Sequence, residues 1–586
     1  MNNSKQYKKI IRRIRGLNAE RRQILSLPPQ KALERILDAP RPAELVHSFP
    51  EEDLYLLIQD IGPQDCLPIL SLASDKQWEY ILDMDAWHRD RLDIKSLTVW
   101  LDLLYRADAK RCIKWLVDHK TDLLEFYLFK NIEVKLREHD QDPSEFGDDF
   151  FSHDNVFYVR LLDYPFTENH DEGEAADIKK EQFKESLTKL IDGLAASDHI
   201  TYQKILLESA TVIPAESEEE AYRLRNIRLA EKGFLPFEEA VGIYQPLSPE
   251  DLKIQGVKSY QIKSEPTMIV PVPEYSTRML EEDSLFVRAL RRVTLIQDLE
   301  HLQVEFASLC NQIITADQRS IRDRVELEKI VKKACGYISI GLQSLTDGSE
   351  RSQKNIENLC AAVMQHYTLA NIFRVGYGRA LALKWRAEKW LADSWFAEQG
   401  LSLTFWGEEW LGVLGGILLK KPLFFDNYKS GTIYREFFSS DDVKETENIL
   451  SDIMAFDDLL SLMNIELKSP SSYGFLTFKN LVLTLWSRHV SGLSEDPRPL
   501  TLKQFKRFYN KLWEPKGKPH KIPAVMKESF LDWLSHKTAL GIYEISERYG
   551  SVFENLFGEI ENEYGEVSTD DLDPRFVHLF LLEKAY

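Results

Sequence analysis

The sequence predicts an all-α protein of stacked short helices followed by longer, bundled helices. Two patterns lead to this prediction. Helix-starting motifs recur at short intervals in the N-terminal part of the chain, and apolar residues further along recur every three or four positions, as on one buried helix face. With 586 residues the chain is also too long for one core, so several domains or one extended array are expected.

The recurring helix starts lie at Pro50, Pro63 and Ser74, with further starts at Asp93 and Asp108. Proline fits the first helical position because its missing N–H would be unpaired there, and carboxylates in the first turn favour the positive end of the helix dipole. Each start leads into a short apolar run. Helices this short are marginal alone and must bury their apolar faces on neighbours, as in helical repeat arrays.

Large aromatic side chains near these runs are expected to fill the core, because helical spacing is typical of packing residues. They are Trp78, Trp87, Trp100 and Trp115. In the later part of the chain the buried face is marked by Leu299, Leu302, Phe306, Leu309 and Ile313.

Changes in composition and periodicity divide the chain into six predicted parts. They are a basic N-terminal arm (1–30), a short-helix repeat domain (31–165), an acidic linker (166–185), a second helical repeat region with an extended connector (186–275), a long-helix bundle (276–470) and a C-terminal helical region (471–586). The second repeat region rests on helix starts at Pro236 and Pro249, which are spaced like Pro50 and Pro63. The linker is acidic and poor in large apolar residues.

Bulk properties predict a cytoplasmic protein without membrane insertion. No apolar stretch approaches the roughly 18 residues of a membrane span, and the basic N-terminus is not followed by the apolar core of a signal peptide. The five cysteines are odd in number and form no CxxC pair, which indicates buried free thiols in a reducing compartment. A net charge of −20 disfavours non-specific nucleic-acid binding by the whole molecule.

A polar loop is predicted at residues 139–154, where acidic side chains are dense. Oxygen-rich loops can hold Ca²⁺ or Mg²⁺, but the spacing and central glycine of an EF-hand are absent. The sequence is compatible both with a solvated loop and with a cation site here. A short strand is expected directly afterwards, at 156–162.

The Pro-x-[Asp/Glu]-x-Leu helix starts of residues 40–82 resemble the cytosolic N-terminal domain of MgtE magnesium transporters. The resemblance implies a right-handed superhelix of short helices over about 80 residues. The membrane spans and CBS modules of such a transporter have no counterpart in the sequence. Neither transport nor a magnesium-binding residue is therefore carried over.

The full-length pattern resembles an uncharacterised bacterial family of unknown function. Two stretches carry this resemblance, LAEKGFLPFEEA at 229–240 and FRVGYG at 373–378. The resemblance implies a fold and supplies no activity.

No sequence motif establishes catalysis. His301 and Glu305 are four apart on one predicted helix and could share a metal ion, with His366 as a third ligand, but the HExxH pattern is absent and a surface ion pair is the commoner use of such spacing. Gly376 and Gly378 lack the third glycine of a dinucleotide loop and lie in a helical pattern, which favours close helix packing. The sequence is also compatible with a catalytic site assembled from distant helices.

Basic residues interleaved with aromatic residues mark the candidate partner-binding positions. These are Lys503, Lys506, Arg507, Lys511, Trp513, Arg374 and Arg379. Basic side chains neutralise phosphates and aromatic rings stack on bases, so nucleic acid is one interpretation. The other is an amphipathic helix with a buried aromatic face and a solvated basic face.

Helical arrays offer extended concave surfaces that mostly bind proteins. We therefore expect a non-enzymatic protein-interaction or scaffold module with a protein partner and no cofactor. The alternatives are a nucleic-acid-associated protein that uses the basic-aromatic helices and a metal-dependent enzyme with its site between helices. The sequence leaves the partner's identity and the oligomeric state open.

Overall fold

The structure is a computed structural model that describes residues 2–88, 90–138, 141–162, 174–210, 214–255, 275, 280, 284–319, 324–346, 353–465, 467, 475–514 and 519–583. These residues form helices and three short antiparallel strand pairs, so the all-α prediction is confirmed. The helices that the structure describes include none that is both long and apolar enough to cross a bilayer.

The α-helices are α1 (Asn2–Leu25), α2 (Pro29–Leu37), α3 (Pro42–His47), α4 (Glu51–Ile61), α5 (Leu67–Leu72), α6 (Asp75–Asp85), α7 (Ile94–Ala107), α8 (Ala109–His119), α9 (Thr121–Asn131), α10 (Glu174–Ser197), α11 (His199–Ser209), α12 (Pro214–Ala230), α13 (Phe237–Ala240), α14 (Pro249–Gln255), α15 (Leu285–Leu290), α16 (Ile296–Ala316), α17 (Arg324–Thr346), α18 (Gln353–His366), α19 (Leu369–Asp393), α20 (Trp395–Glu398), α21 (Gly407–Ile417), α22 (Ser440–Leu462), α23 (Phe478–Val490), α24 (Leu502–Leu512), α25 (Ala524–Thr538) and α26 (Ile542–Tyr564).

The strands are β1 (Trp87–His88), β2 (Arg91–Leu92), β3 (Ile132–Leu136), β4 (Phe157–Leu161), β5 (Phe424–Phe425) and β6 (Tyr434–Arg435), paired β1 with β2, β3 with β4 and β5 with β6. The expected strand after the acidic loop is β4, which pairs with β3 in antiparallel register.

The described residues divide into two compact units. The first takes them from Met1–Gln245, Gly256–Cys335 and Arg351–Asn371, and the second from Pro246–Gln255, Gly336–Glu350 and Ile372–Tyr586. The six parts expected from the sequence, with their boundaries, stay a prediction.

The predicted helix starts at Pro50, Ser74, Asp93 and Asp108 each precede an α-helix, whereas Pro63 begins a 3-10 turn and α5 starts after it, at Leu67. Pro50 immediately precedes α4, and Ser74 caps α6 in a reciprocal capping box, accepting a hydrogen bond from the Gln77 backbone N–H and receiving the Gln77 side chain on its own N–H. Asp93 and Asp108 cap α7 and α8 with their carboxylates. The handedness of a superhelix and the MgtE-type resemblance stay predictions.

The core of the first unit forms where these short helices pack on their near neighbours, for example α4 on α6, α5 on α7 and α7 on α8. Trp78 is fully buried, and its indole ring meets Trp115 edge to face at 5.6 Å between centroids. Trp100 and Trp115 are buried as predicted, whereas Trp87 is only partly buried. All five cysteines are buried and none forms a disulfide.

The stretch at 229–240 has a packing role. Lys232 forms ion pairs with Glu51 at 2.5 Å and Glu52 at 3.4 Å, at the start of α4. Gly233 follows with φ +86°, and a methyl group there would overlap with Ser308 of α16. Lys232 and Gly233 therefore help to pack this segment against α4 and α16.

The second unit has a core of aromatic rings and one close helix crossing. Gly376 of α19 lies against the Tyr337 carbonyl of α17, where a Cβ atom would overlap with the oxygen. The expectation that this glycine permits close helix packing is therefore confirmed. Elsewhere in the unit, Trp410 and Phe478 stack with ring centroids 4.4 Å apart.

The structure describes helix in two of the predicted parts. The basic N-terminal segment forms helix α1, and Arg21 is buried and donates a hydrogen bond to the Ser48 carbonyl. The acidic linker is helical from Glu174 onward, because Phe183 and Leu187, four positions apart, are both buried as α10 packs on α7 and α8. Low apolar content therefore did not mark a break in the helix.

Candidate functional site

The first unit contains a pocket of about 470 Å³. Helix α6 forms one wall, the junction of α8 with α9 forms the second, and α12 forms the third, with the β1–β2 hairpin at one end. The second wall exists because α8 ends at His119 and α9 begins at Thr121, so the chain turns at Lys120 and exposes both helix ends to the pocket.

Hydrogen bonds from α12 to α6 and the hairpin fix the third wall. The guanidinium of Arg228 donates two hydrogen bonds of 2.7 Å to the two carboxylate oxygens of Asp83, which is 5% exposed. Arg225 donates to the Asp83 backbone carbonyl at 2.6 Å. At the other end of α12, Glu218 accepts a hydrogen bond from the Leu92 N–H at 2.9 Å.

The cations inside the pocket are neutralised by the chain itself. Arg228 also lies 3.2 Å from Glu79, which forms an ion pair with Lys120 as well. Burial alone would lower the pKa of the Arg228 guanidinium, but the hydrogen bonds to Asp83 raise it above its ordinary value. These groups therefore hold α6 and α12 together and present little net positive charge to a ligand.

Five further carboxylates line the pocket. Glu220 pairs with Arg223 on the surface of α12, and we call the other four the acidic rim: Asp118, Asp122, Glu125 and Glu216. Within the described part of the chain, no cation lies at ion-pair distance from Asp118, Asp122 or Glu216. Burial, together with a hydrogen bond to the Glu208 carboxyl group and the charge of that group, raises the pKa of Glu125 to about 7. Glu125 therefore titrates near neutral pH.

Apolar side chains line the space between the charged groups. They are Leu82, Trp87, Leu92, Leu97, Leu123 and Leu224. Leu224 is 38% exposed although it is a large aliphatic residue, and Arg225 stacks over the Trp87 ring at 5.5 Å. The pocket therefore combines apolar wall surface with charged groups, and concave surfaces of this kind are where ligands commonly bind.

The positions predicted to bind a partner lie elsewhere, in the second unit. On α24, Lys503, Arg507 and Lys511 are exposed and Lys506 is half-buried. The aromatic residues of this helix, Phe505, Phe508 and Tyr509, are all buried, and Trp513 is 9% exposed between Tyr509 and His520. The amphipathic interpretation therefore describes α24, and Trp513 does not share the exposed surface of the lysines.

The two predicted arginines lie on a different helix, α19. Arg374 is half-buried, and Arg379 is exposed. Trp385, on the same helix, is 51% exposed, whereas Tyr377 and Trp390 are buried. Most of the aromatic rings in both basic stretches therefore belong to the core.

The candidate metal ligands have other partners. Glu305 accepts a hydrogen bond from the Leu369 N–H at 3.1 Å, at the start of α19, and His366 Nδ1 contacts the Ala362 carbonyl at 2.6 Å. In the acidic loop, Asp142 and Asp154 accept hydrogen bonds from nearby backbone N–H groups. Among the residues with described positions, no three His, Cys, Asp or Glu side chains are placed to hold a metal ion.

Sequence reasoning missed the pocket because its walls are far apart in the chain: Asp83 and Arg228 are separated by 145 residues. Trp87 lines the pocket and is less buried than the other three tryptophans of the repeat region, but its sequence context resembles theirs and gives no signal of the pocket. A pattern of helix starts cannot indicate which helices a later helix will contact.

Comparisons with known proteins place the chain in a family without assigning an activity. No curated protein and no solved structure matches it. The model of a family of unknown function (DUF6178) matches residues 9–583, nearly the whole chain. The chain therefore belongs to this family of unknown function, DUF6178.

Proposed function

We propose that this protein is a non-enzymatic interaction module that binds a segment of a partner protein in the pocket between α6, α9 and α12. The pocket itself carries this proposal. It is large enough for one or two side chains, and apolar walls and a polar edge are typical of the pockets that receive anchor residues in protein interfaces.

The residues of the pocket favour binding over chemistry. Arg228, Asp83, Glu79 and Lys120 satisfy one another in ion pairs that link the walls. Such closed ion pairs hold a surface in shape before the partner arrives, which reduces the ordering cost of binding. The exposed Leu224 then supplies apolar area that a partner would bury.

A pocket-filling substitution tests this proposal. Ala221→Trp places a large ring inside the pocket, whereas Ile227→Trp places the same ring on the same helix at a half-exposed position outside it. We expect a partner captured by the native chain and by Ile227→Trp to be lost with Ala221→Trp. Equal capture by both variants would reject the pocket as the binding site. Circular dichroism and thermal unfolding of each variant serve as folding controls.

A second candidate function rests on α24. Its exposed Lys503, Arg507 and Lys511 recur along one helix face and can contact the phosphates of a nucleic acid. Base stacking is not available to the buried rings of this helix. The double variant Lys503→Glu and Arg507→Glu should abolish binding to a labelled oligonucleotide, and binding by the native chain should weaken steeply with salt. Binding that survives both changes would exclude this function.

A further inference from the structure

We infer that the pocket selects a basic anchor: the partner segment inserts one arginine or lysine, flanked by apolar residues, beneath the acidic rim. This inference rests on the proposed function and adds the chemistry of the side chain that is bound. The inference follows from which charged side chains in the pocket form ion pairs and which do not.

The pocket is acidic as a whole. Seven carboxylates line it, from Glu79, Asp83, Asp118, Asp122, Glu125, Glu216 and Glu220, against the two cations Lys120 and Arg228. Both cations are already paired with Glu79 or Asp83. An anionic side chain entering the pocket would therefore meet repulsion from the rim without a cation to receive it.

The position of the carboxylates matches a long basic side chain. Asp118 and Asp122 come from the α8–α9 junction and Glu216 from the start of α12, so negative charge approaches the pocket from two walls. Leucines from α6, α7 and α12 cover the surface between them. Lysine and arginine pack their aliphatic stems on apolar surface while the charged head stays in a polar, partly hydrated environment.

A purely apolar anchor fits less well. It would bury against Leu82 and Leu224 but would also take water from Asp122 and Glu216, which have no cation in the described structure to compensate them. Removing water from a charge without pairing it is costly. A basic side chain supplies both the apolar contact and the missing countercharge.

The test uses a random peptide library displayed on phage and selected against the full-length protein. Peptides that bind the native chain and Ile227→Trp, but not Ala221→Trp, are synthesised with a fluorescent label and titrated by anisotropy. We expect arginine or lysine at one fixed position in these peptides. Replacing that residue by norleucine should weaken binding at least about tenfold.

Substitutions in the rim give the matching test on the protein. Asp122→Asn together with Glu216→Gln should weaken the same peptides about tenfold, because two exposed charge interactions are removed. Glu219→Gln, an exposed carboxylate on α12 outside the pocket, should leave their affinity unchanged. All of these substitutions are on the surface and conserve side-chain shape, and thermal unfolding checks the fold.

The outcomes separate the inference from the proposed function. Peptides that depend on Ala221 but tolerate norleucine and the double rim variant would overturn the basic anchor and leave the pocket as a docking site. Peptides that bind Ala221→Trp as well as the native chain, or a library that yields no pocket-dependent peptide, would overturn both. Basic peptides that lose affinity both in Ala221→Trp and in the double rim variant, and keep it in Glu219→Gln, would support both.

Discussion

Arg228 and Asp83, which are 145 residues apart, join α12 to α6 through two parallel hydrogen bonds of 2.7 Å. The carboxylate is buried and the guanidinium is about one-third exposed, so the pair is a partly desolvated and well-oriented ion pair. This ion pair sets the width of the pocket, because it holds α12, which carries Leu224 and Glu216, at a fixed distance from α6, which carries Leu82.

Breaking this pair should destabilise the first unit. Arg228→Met leaves the Asp83 carboxylate buried without its cation, and we expect a loss of roughly 3 kcal/mol in the free energy of unfolding, measured by urea denaturation. Arg223→Met is the matched control, since Arg223 lies on the same helix and pairs with Glu220 on the surface. Equal stability of the two variants would show that the buried pair does not hold the wall.

The close contact between α17 and α19 in the second unit leads to a separate prediction. Gly376→Ala should destabilise the protein by about 2 kcal/mol or more, because its methyl group would overlap with the Tyr337 carbonyl and force α17 and α19 apart. Gly550→Ala provides the comparison: Gly550 lies in α26 with open space around it, and alanine there should be neutral or stabilise by about 0.5–1 kcal/mol. Thermal unfolding of the two variants distinguishes a packing requirement from a general preference for glycine.

The Glu125–Glu208 pair predicts a pH dependence of stability. The pKa of Glu125 is about 7 in the folded protein and near 4.5 when unfolded, so the folded state holds the proton more tightly. Its contribution to stability is present in full below pH 4.5 and is lost as the pH rises through 7. We expect the native chain to lose on the order of 1 kcal/mol relative to Glu125→Gln between pH 5 and pH 8.

Urea denaturation of both proteins across this pH range measures the difference directly. Glu125→Gln keeps the shape of the protonated side chain but cannot ionise, so other titrating groups cancel in the comparison. Parallel pH profiles for the two proteins would contradict the raised pKa of Glu125.

Truncating two neighbouring side chains on α24 should change the stability of the protein to very different extents. Phe508 is fully buried against Trp486 and Phe580, and Phe508→Ala should cost about 3–5 kcal/mol. Arg507 is exposed, and Arg507→Ala should leave the unfolding midpoint unchanged. A stable Phe508→Ala variant would mean that the aromatic face of α24 does not belong to the core.

Local signals in the sequence predicted much of the fold. Pro50, Ser74, Asp93 and Asp108 mark helix starts because capping and first-turn preferences act over a few residues. The buried aromatic face of α24 also follows from a local pattern, the helical spacing of Phe505, Phe508 and Leu512. These features can be predicted without knowing which helices pack against one another.

The pocket could not be predicted in the same way. It depends on the contact of α12 with α6 and the β1–β2 hairpin, and the sequence of α12 shows many charges without indicating that Arg228 pairs with Asp83. Helix α10, which begins inside the predicted acidic linker, escaped prediction for a related reason: it packs on α7 and α8, and the sequence pattern does not indicate that contact.

Site-specific photo-crosslinking in living cells reports whether a partner protein occupies the pocket between α6, α9 and α12. A benzophenone amino acid replaces Leu224, which lines the pocket, or Ile227, which lies on the same helix outside it. We expect one discrete protein adduct from position 224 and none from position 227, with the adduct lost when Ala221→Trp fills the pocket. Identical adducts from both positions, or no adduct at position 224, would contradict a partner bound in this pocket.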